Sequence, residues 1–131
     1  MSAFFDTNII VYAQERGEKG NIARALLAEG GYLSVQVLNE FASVSSRKQG
    51  RTWSEIEEAL SDLIALVRPP VSITIDLHDQ ARRLASEIGF SFYDALIVAA
   101  AIGAGCQNLY SEDMQHGRTI GPLTIINPFL E

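Results

Sequence analysis

The chain has 131 residues, enough for one domain with a real hydrophobic core. A hydrophobic content of 47% excludes a disordered chain, and a formal charge of −6 argues against a protein that grips nucleic acid by charge alone. It does not exclude a nucleic-acid enzyme whose acidic pocket is neutralised by metal ions.

The single cysteine, Cys106, excludes an internal disulfide and fits a reducing, cytoplasmic compartment. It follows an apolar stretch and reads as a small buried hydrophobe. Met1 is followed by a polar Ser2 with no basic region, so no secretory signal is expected. The longest apolar stretch, "ALIVAAAIGAG" after Asp94, falls short of the ~20 residues a bilayer span needs.

In chain order, "AFF" is a short apolar run ending at Asp6 and reads as a strand. A helix begins at "TNIIVYA". A second helix fits "NIARALLAE", with Ile22, Ala25, Leu26 and Glu29 at helical spacing, and "GG" at 30–31 stops it. "YLSV" reads as a strand. Ser34 is placed to cap "VQVLNEFASVSSRKQ", whose apolar stripe is Val37, Leu38, Phe41 and Val44. Thr52 and Glu55 make a capping box for a helix with Trp53, Ile56, Leu60, Leu63, Ile64 and Val67 on one face. "PP" at 69–70 ends it. "VSITI" alternates like a strand. Asp76 is expected to cap the next helix, with Leu77, Ala81, Leu84 and Ile88 inward and Gly89 at its end. Ser91 caps "FYDALIVAAAIGA", apolar nearly all round and therefore central. "NLYS" and "LTIIN" are the last of five strands. No repeat, linker or low-complexity segment divides the chain, so residues 1–131 read as a single domain. Strands separated by helices predict a mainly parallel sheet covered on both faces, an α/β/α sandwich.

Ligands of such sheets bind beyond the carboxyl ends of the strands. Asp6 ends the first strand, and "SED" at 111–113 ends the "NLYS" strand. Asp94 lies in the first turn of the apolar helix and Glu40 in the second turn of the third helix. Four carboxylates from distant parts of the chain therefore have a route into one crevice. Each also has a plainer reading. Asp6 suits the start of a helix, and Asp94 suits a capping partner of Ser91. Glu40 shares a helix face with Val37 and Val44, where a carboxylate needs partners, a metal or an escape to solvent. Asp113 alone reads as a turn residue, and Glu112 beside it leaves the fourth acid open.

Together the acids point to hard divalent cations, Mg²⁺ or Mn²⁺, and to phosphodiester hydrolysis. Other chemistries lack their residues. The chain has no P-loop, no dinucleotide glycine motif and no nucleophile elbow. One cysteine and two histidines make zinc a poor fit, and His78 reads as a surface residue of its helix.

These motifs resemble the PIN-domain ribonucleases, in particular the VapC-type toxins of bacterial and archaeal toxin–antitoxin pairs. "FFDTNIIVYA" resembles the family's opening motif, "VLNEF" its helix-borne glutamate, "FYDALIVAAA" its third acidic motif and "LYSEDMQHG" its fourth. "LTIINPF" resembles the subgroup's last strand. The resemblance covers essentially the whole chain. It implies a PIN-like α/β/α sandwich with a five-stranded, mainly parallel sheet. It also implies Asp6, Glu40, Asp94 and Asp113 as catalytic, metal-binding acids for Mg²⁺ or Mn²⁺. An RNA substrate, a VapB-like antitoxin and a homodimer are implied with them.

Around these acids, Thr7 and Asn8 are placed to hold a carboxylate or a metal-bound water, and Ser111 to do so from the other side. Ordinary capping is the alternative for all three. His116 is close enough in sequence to Asp113 to reach substrate, or is a plain loop histidine. Arg47, Lys48, Arg51 and Arg118 are candidate contacts for RNA phosphates, or solvated surface. Three other readings stand against a ribonuclease. A haloacid-dehalogenase-type phosphatase needs a second Asp where this chain has Asn8, and a receiver domain needs a late lysine, but none follows Lys48. A non-catalytic PIN-like binding module is the third.

Overall fold

The computed structural model describes residues 2–130. Its elements, in order, are β1 (Ala3–Phe5), α1 (Thr7–Ala13), α2 (Glu18–Ala28), α3 (Val35–Arg47) and α4 (Trp53–Leu66), followed by α5 (Ile75–Ile88), α6 (Phe92–Gly103), β2 (Asn108–Tyr110), β3 (Thr119–Ile120) and β4 (Leu123–Ile126). The strands lie in the order β1-β2-β4-β3. β1, β2 and β4 are parallel, with Phe4 opposite Leu109 and Leu109 opposite Ile125, while β3 runs antiparallel to β4.

Phe4 and Phe5 point to opposite faces of the sheet, and both are fully buried. Helices therefore cover both faces, as the alternating pattern predicts. The chain is α/β with a mixed sheet.

The expected count of five strands is corrected to four among the described residues. "YLSV" and "VSITI" make only single bridges, Phe4 with Tyr32 and Ser34 with Val71. Both segments are cut short by the caps of the helices that follow. Ser34 Oγ accepts from the Val37 N–H, and Thr74 Oγ1 accepts from the Leu77 N–H at 3.1 Å. Thr74 is therefore the cap of α5, and Asp76 lies in its first turn rather than capping it. β3 has a signal that the sequence reading passed over: a Gly121-Pro122 turn, with Gly121 at φ 56°, folds it back onto β4.

Other caps fall where expected. Thr52 and Glu55 form a complete capping box, and Ser91 Oγ accepts from the Asp94 N–H. The stripe of α2 differs: Gly20, Ala23 and Leu27 are buried, whereas Ala25 and Glu29 are exposed. On α4 only Ile56 and Leu63 are buried, and Trp53 (67% exposed) and Ile64 (43%) face outward. α6 carries seven consecutive buried residues, Ala95–Ala101, and is the central helix. Cys106 is a buried free thiol. No single helix is long and apolar enough to cross a membrane; α5 and α6 reach that length only together, and they meet at 114°.

Candidate active site

β1 ends at Phe5, and the backbone N–H of Asp6, the next residue, still donates to the Tyr110 carbonyl of β2 at 3.0 Å. The side chain then caps α1: Asp6 Oδ1 accepts from the Thr7 N–H at 2.7 Å. Asp6 Oδ2 accepts from Ser111 Oγ at 2.6 Å and from Asn8 Nδ2 at 3.3 Å. The helix-opening reading of Asp6 is thus correct, and its second carboxylate oxygen is held separately by Ser111 and Asn8. Asp6 is only 4% exposed, a costly place for a charge.

Burial is the main reason that its pKa rises from 3.8 to about 6. The hydrogen bonds from Ser111 and Thr7 oppose the rise, and the Asp94 and Glu40 carboxylates add to it. Asp94 is also raised, first by burial, against the Ser91 hydrogen bond and with help from Glu40 and Asp113. These four acids therefore lie within electrostatic reach of one another. Elements far apart in sequence deliver them: the end of β1, the middle of α3, the first turn of α6 and the loop after β2.

The neighbours of the acids are donors. Glu40 Oε1 accepts from Thr7 Oγ1 at 2.8 Å, and Oε2 accepts from Gln36 Nε2 at 2.9 Å. Asn8 Nδ2 also donates to Asp113 Oδ2 at 3.2 Å, so one amide joins Asp6 to Asp113. Its Oδ1 accepts from the Glu112 N–H at 3.1 Å, fixing the loop that carries Asp113. Glu112 itself is engaged by Tyr12 Oη, at 2.5 Å, and by Lys19 Nζ. The Lys19 bond, then the Tyr12 bond, hold its pKa below the usual carboxylate value. Of the two adjacent acids, Asp113 joins Asp6 and Asp94, and Glu112 pairs with Lys19.

A cleft of about 330 Å³ opens beside this network, lined by Thr7, Asn8, Tyr12, Val44 and Glu112, and by Glu40 and Asp113 of the four acids. A larger groove of about 660 Å³ lies at the opposite, amino edge of the strands, near Ser2, Gly31 and Gln107. It contains none of the four acids. Among the described residues no three of the acids converge into a ready cation cage. Asp6, Glu40 and Asp113 are held by neighbouring donors, with Asn8 shared between Asp6 and Asp113. Their chemistry is that of a set of anionic oxygens, which fits a hard divalent cation.

The structure leaves other candidates outside this network. His116 is exposed, and its Nδ1 accepts from the Asn127 N–H at 2.9 Å, tying its loop to the end of β4. Arg118 donates to the Ile88 carbonyl at 2.6 Å and stacks over Phe90, securing the end of α5. Arg47 and Lys48 are exposed at the end of α3, two turns beyond Glu40. Arg51 is half-buried with its N–H bonded to the Ser45 carbonyl, and its Nη1 is buried without a hydrogen-bond partner. Gln36, Tyr12 and Lys19 were missed. Gln36 had a signal, its place four residues before Glu40 on one helix. Lys19 had none, because its partner is 93 residues away.

Fold and site together define an α/β domain with a set of neighbouring carboxylates at the carboxyl edge of the parallel strands of a mixed sheet. That arrangement has a family. Residues 3–120 match the PIN domain model, and the chain belongs to the PIN-domain family. No curated protein matches the sequence. Among solved structures, the chain is similar to Mycobacterium tuberculosis VapC20, a toxin that cleaves the sarcin-ricin loop. The identity is 27% and the TM-score 0.70, over 86% of this chain and 90% of that one. Two others share the fold. A Klebsiella pneumoniae toxin–antitoxin complex matches at 19% identity and TM-score 0.73, over 98% of both chains. VapBC2 of Rickettsia felis, bound to a promoter DNA fragment, matches at 21% and 0.69, over 95% of this chain and 97% of that one.

Proposed function

We propose that this protein is a metal-dependent endoribonuclease and the toxin of a VapBC-type toxin–antitoxin pair. The observation that carries this reading is the placement of Asp6, Glu40, Asp94 and Asp113 within electrostatic reach of one another at the carboxyl edge of the sheet, with no acid of the motif set missing. Membership of the PIN family and the likeness to VapC20 support it. PIN-domain nucleases use divalent cations; here the ion is Mg²⁺ or Mn²⁺, held by those four side chains. When bound, it neutralises phosphate charge and activates a water for hydrolysis. The chain's own part is to hold its ligands in place. Ser111, Thr7 and Asn8 fix Asp6, and Asn8 ties Asp113 to it.

Exposed Arg47 and Lys48 offer contacts for RNA phosphates beyond the cleft. The partners are a VapB-like antitoxin, which inserts a basic side chain among the acids, and a second copy of the chain. An arginine matches carboxylates in a bidentate way, and an apolar groove lined by Ala13, Leu27, Leu63 and Leu66 suits a partner segment. The compartment is the cytoplasm, consistent with a buried free thiol.

The test is cleavage of structured RNA by the purified protein with Mg²⁺ or Mn²⁺. Cleavage should stop in chelator, and phosphate monoesters should be inert. Turnover of monoesters would favour a phosphatase. Failure to cleave any RNA with either ion would leave a binding module.

A further inference from the structure

Glu40 is held differently from the other acids. It is borne on a helix, half-buried, and has three rotatable bonds, so its carboxylate has more freedom than an aspartate at a strand end. Two donors remove that freedom. Thr7 Oγ1 reaches Oε1 from α1, and Gln36 Nε2 reaches Oε2 from within α3. Each carboxylate oxygen accepts two bonds, so each Glu40 oxygen keeps a lone pair for a cation.

We propose that Gln36 is a positioning residue of the active site, fixing the Glu40 carboxylate for the cation through its side-chain amide. This role rests on the metal-site reading above. An exposed glutamine–glutamate pair one turn apart adds little to a helix. Gln36 is not such a pair: it is 8% exposed, beside the buried Val37 and Phe41. The fold alone would be served as well by an apolar side chain of the same size there, because burying an amide is costly unless it is hydrogen-bonded. The Glu40 carboxylate is the partner that meets that requirement. Only the Nε2 side of the amide can face an ionised carboxylate, so the direction of the bond is fixed. Gln36 thus does for Glu40 what Ser111 does for Asp6.

The test uses the whole protein without RNA. Mn²⁺ binding is measured by titration calorimetry, and melting is measured in chelator. Gln36→Leu keeps the volume and removes the donor, and Gln36→Met does the same with a more pliant chain. Both variants should bind Mn²⁺ about 10-fold more weakly, the usual scale for a residue behind a metal ligand. Both should melt in chelator at or above the wild-type temperature. Unchanged Mn²⁺ affinity would overturn the proposal. So would a lower melting temperature in chelator for both variants, because the amide would then serve the fold. A wild-type protein that binds no Mn²⁺ would overturn the metal-site reading itself, and this role with it.

Discussion

Asp94 lies where the start of a helix and the proposed metal site coincide. Its backbone N–H donates to the capping Ser91 of α6, while its carboxylate lies within electrostatic reach of Glu40 and Asp113. Asp94→Asn keeps the size and the backbone cap but removes a charged ligand. RNA cleavage should fall by at least ~100-fold, with the circular dichroism spectrum unchanged. Retained cleavage in a clean preparation would remove Asp94 from the site. Asp6 carries a prediction in pH. Its pKa is raised in the folded chain, so folding favours its protonated form. Its stabilising contribution is full below its unfolded pKa of 3.8 and is lost as pH rises through about 6. The shift corresponds to roughly 3 kcal/mol. In chelator, the melting temperature of Asp6→Asn relative to wild type should therefore climb between about pH 4 and pH 7. A difference that stays constant over that range would show that Asp6 ionises normally.

Elements were legible where local chemistry decides them. The capping box of α4, the Ser34 and Ser91 caps and the apolar run of α6 are all local signals. Thr52→Ala removes half of that box and should cost about 1 kcal/mol in denaturant unfolding. An unchanged midpoint would mean that packing alone sets the start of α4. The two lost strands were misread because alternation cannot see a cap three residues ahead. "VSITI" has the pattern of a strand, but Thr74 turns the chain into α5 after one bridge. Gly31 is decided by close approach instead. It sits at φ 154°, where a Cβ would lie 2.6 Å from the Phe5 ring and 2.7 Å from the Ala3 carbonyl oxygen. Gly31→Ala should therefore destabilise by about 1–3 kcal/mol, measured by chemical denaturation. A neutral result would show that β1 yields easily at that edge.

At the scale of the molecule, the site sets stability against function. Four carboxylates within reach of one another repel, and burial adds to the cost for Asp6. A cation that binds the folded pocket and not the unfolded chain should reverse this. At ten times its dissociation constant it adds about 1.4 kcal/mol. Mg²⁺ or Mn²⁺ should raise the wild-type melting temperature, and Asp6→Asn should gain much less. An equal gain in both proteins would place the cation elsewhere.

The sequence by itself determined the α/β class and most helix bounds, and it singled out the four acids as candidates. Those features rest on periodicity, caps and motifs, which act over a few residues. Only the tertiary structure decided the strand count and which acids share donors. It paired Glu112 with Lys19 and Asp113 with Asn8, from neighbours that are adjacent in sequence and alike in charge. It also moved Arg118 to the end of α5 and brought Gln36 and Thr7 onto one carboxylate. The physical reason is that hydrogen bonds and burial depend on what the fold brings within about 3 Å, and such partners can lie a hundred residues apart.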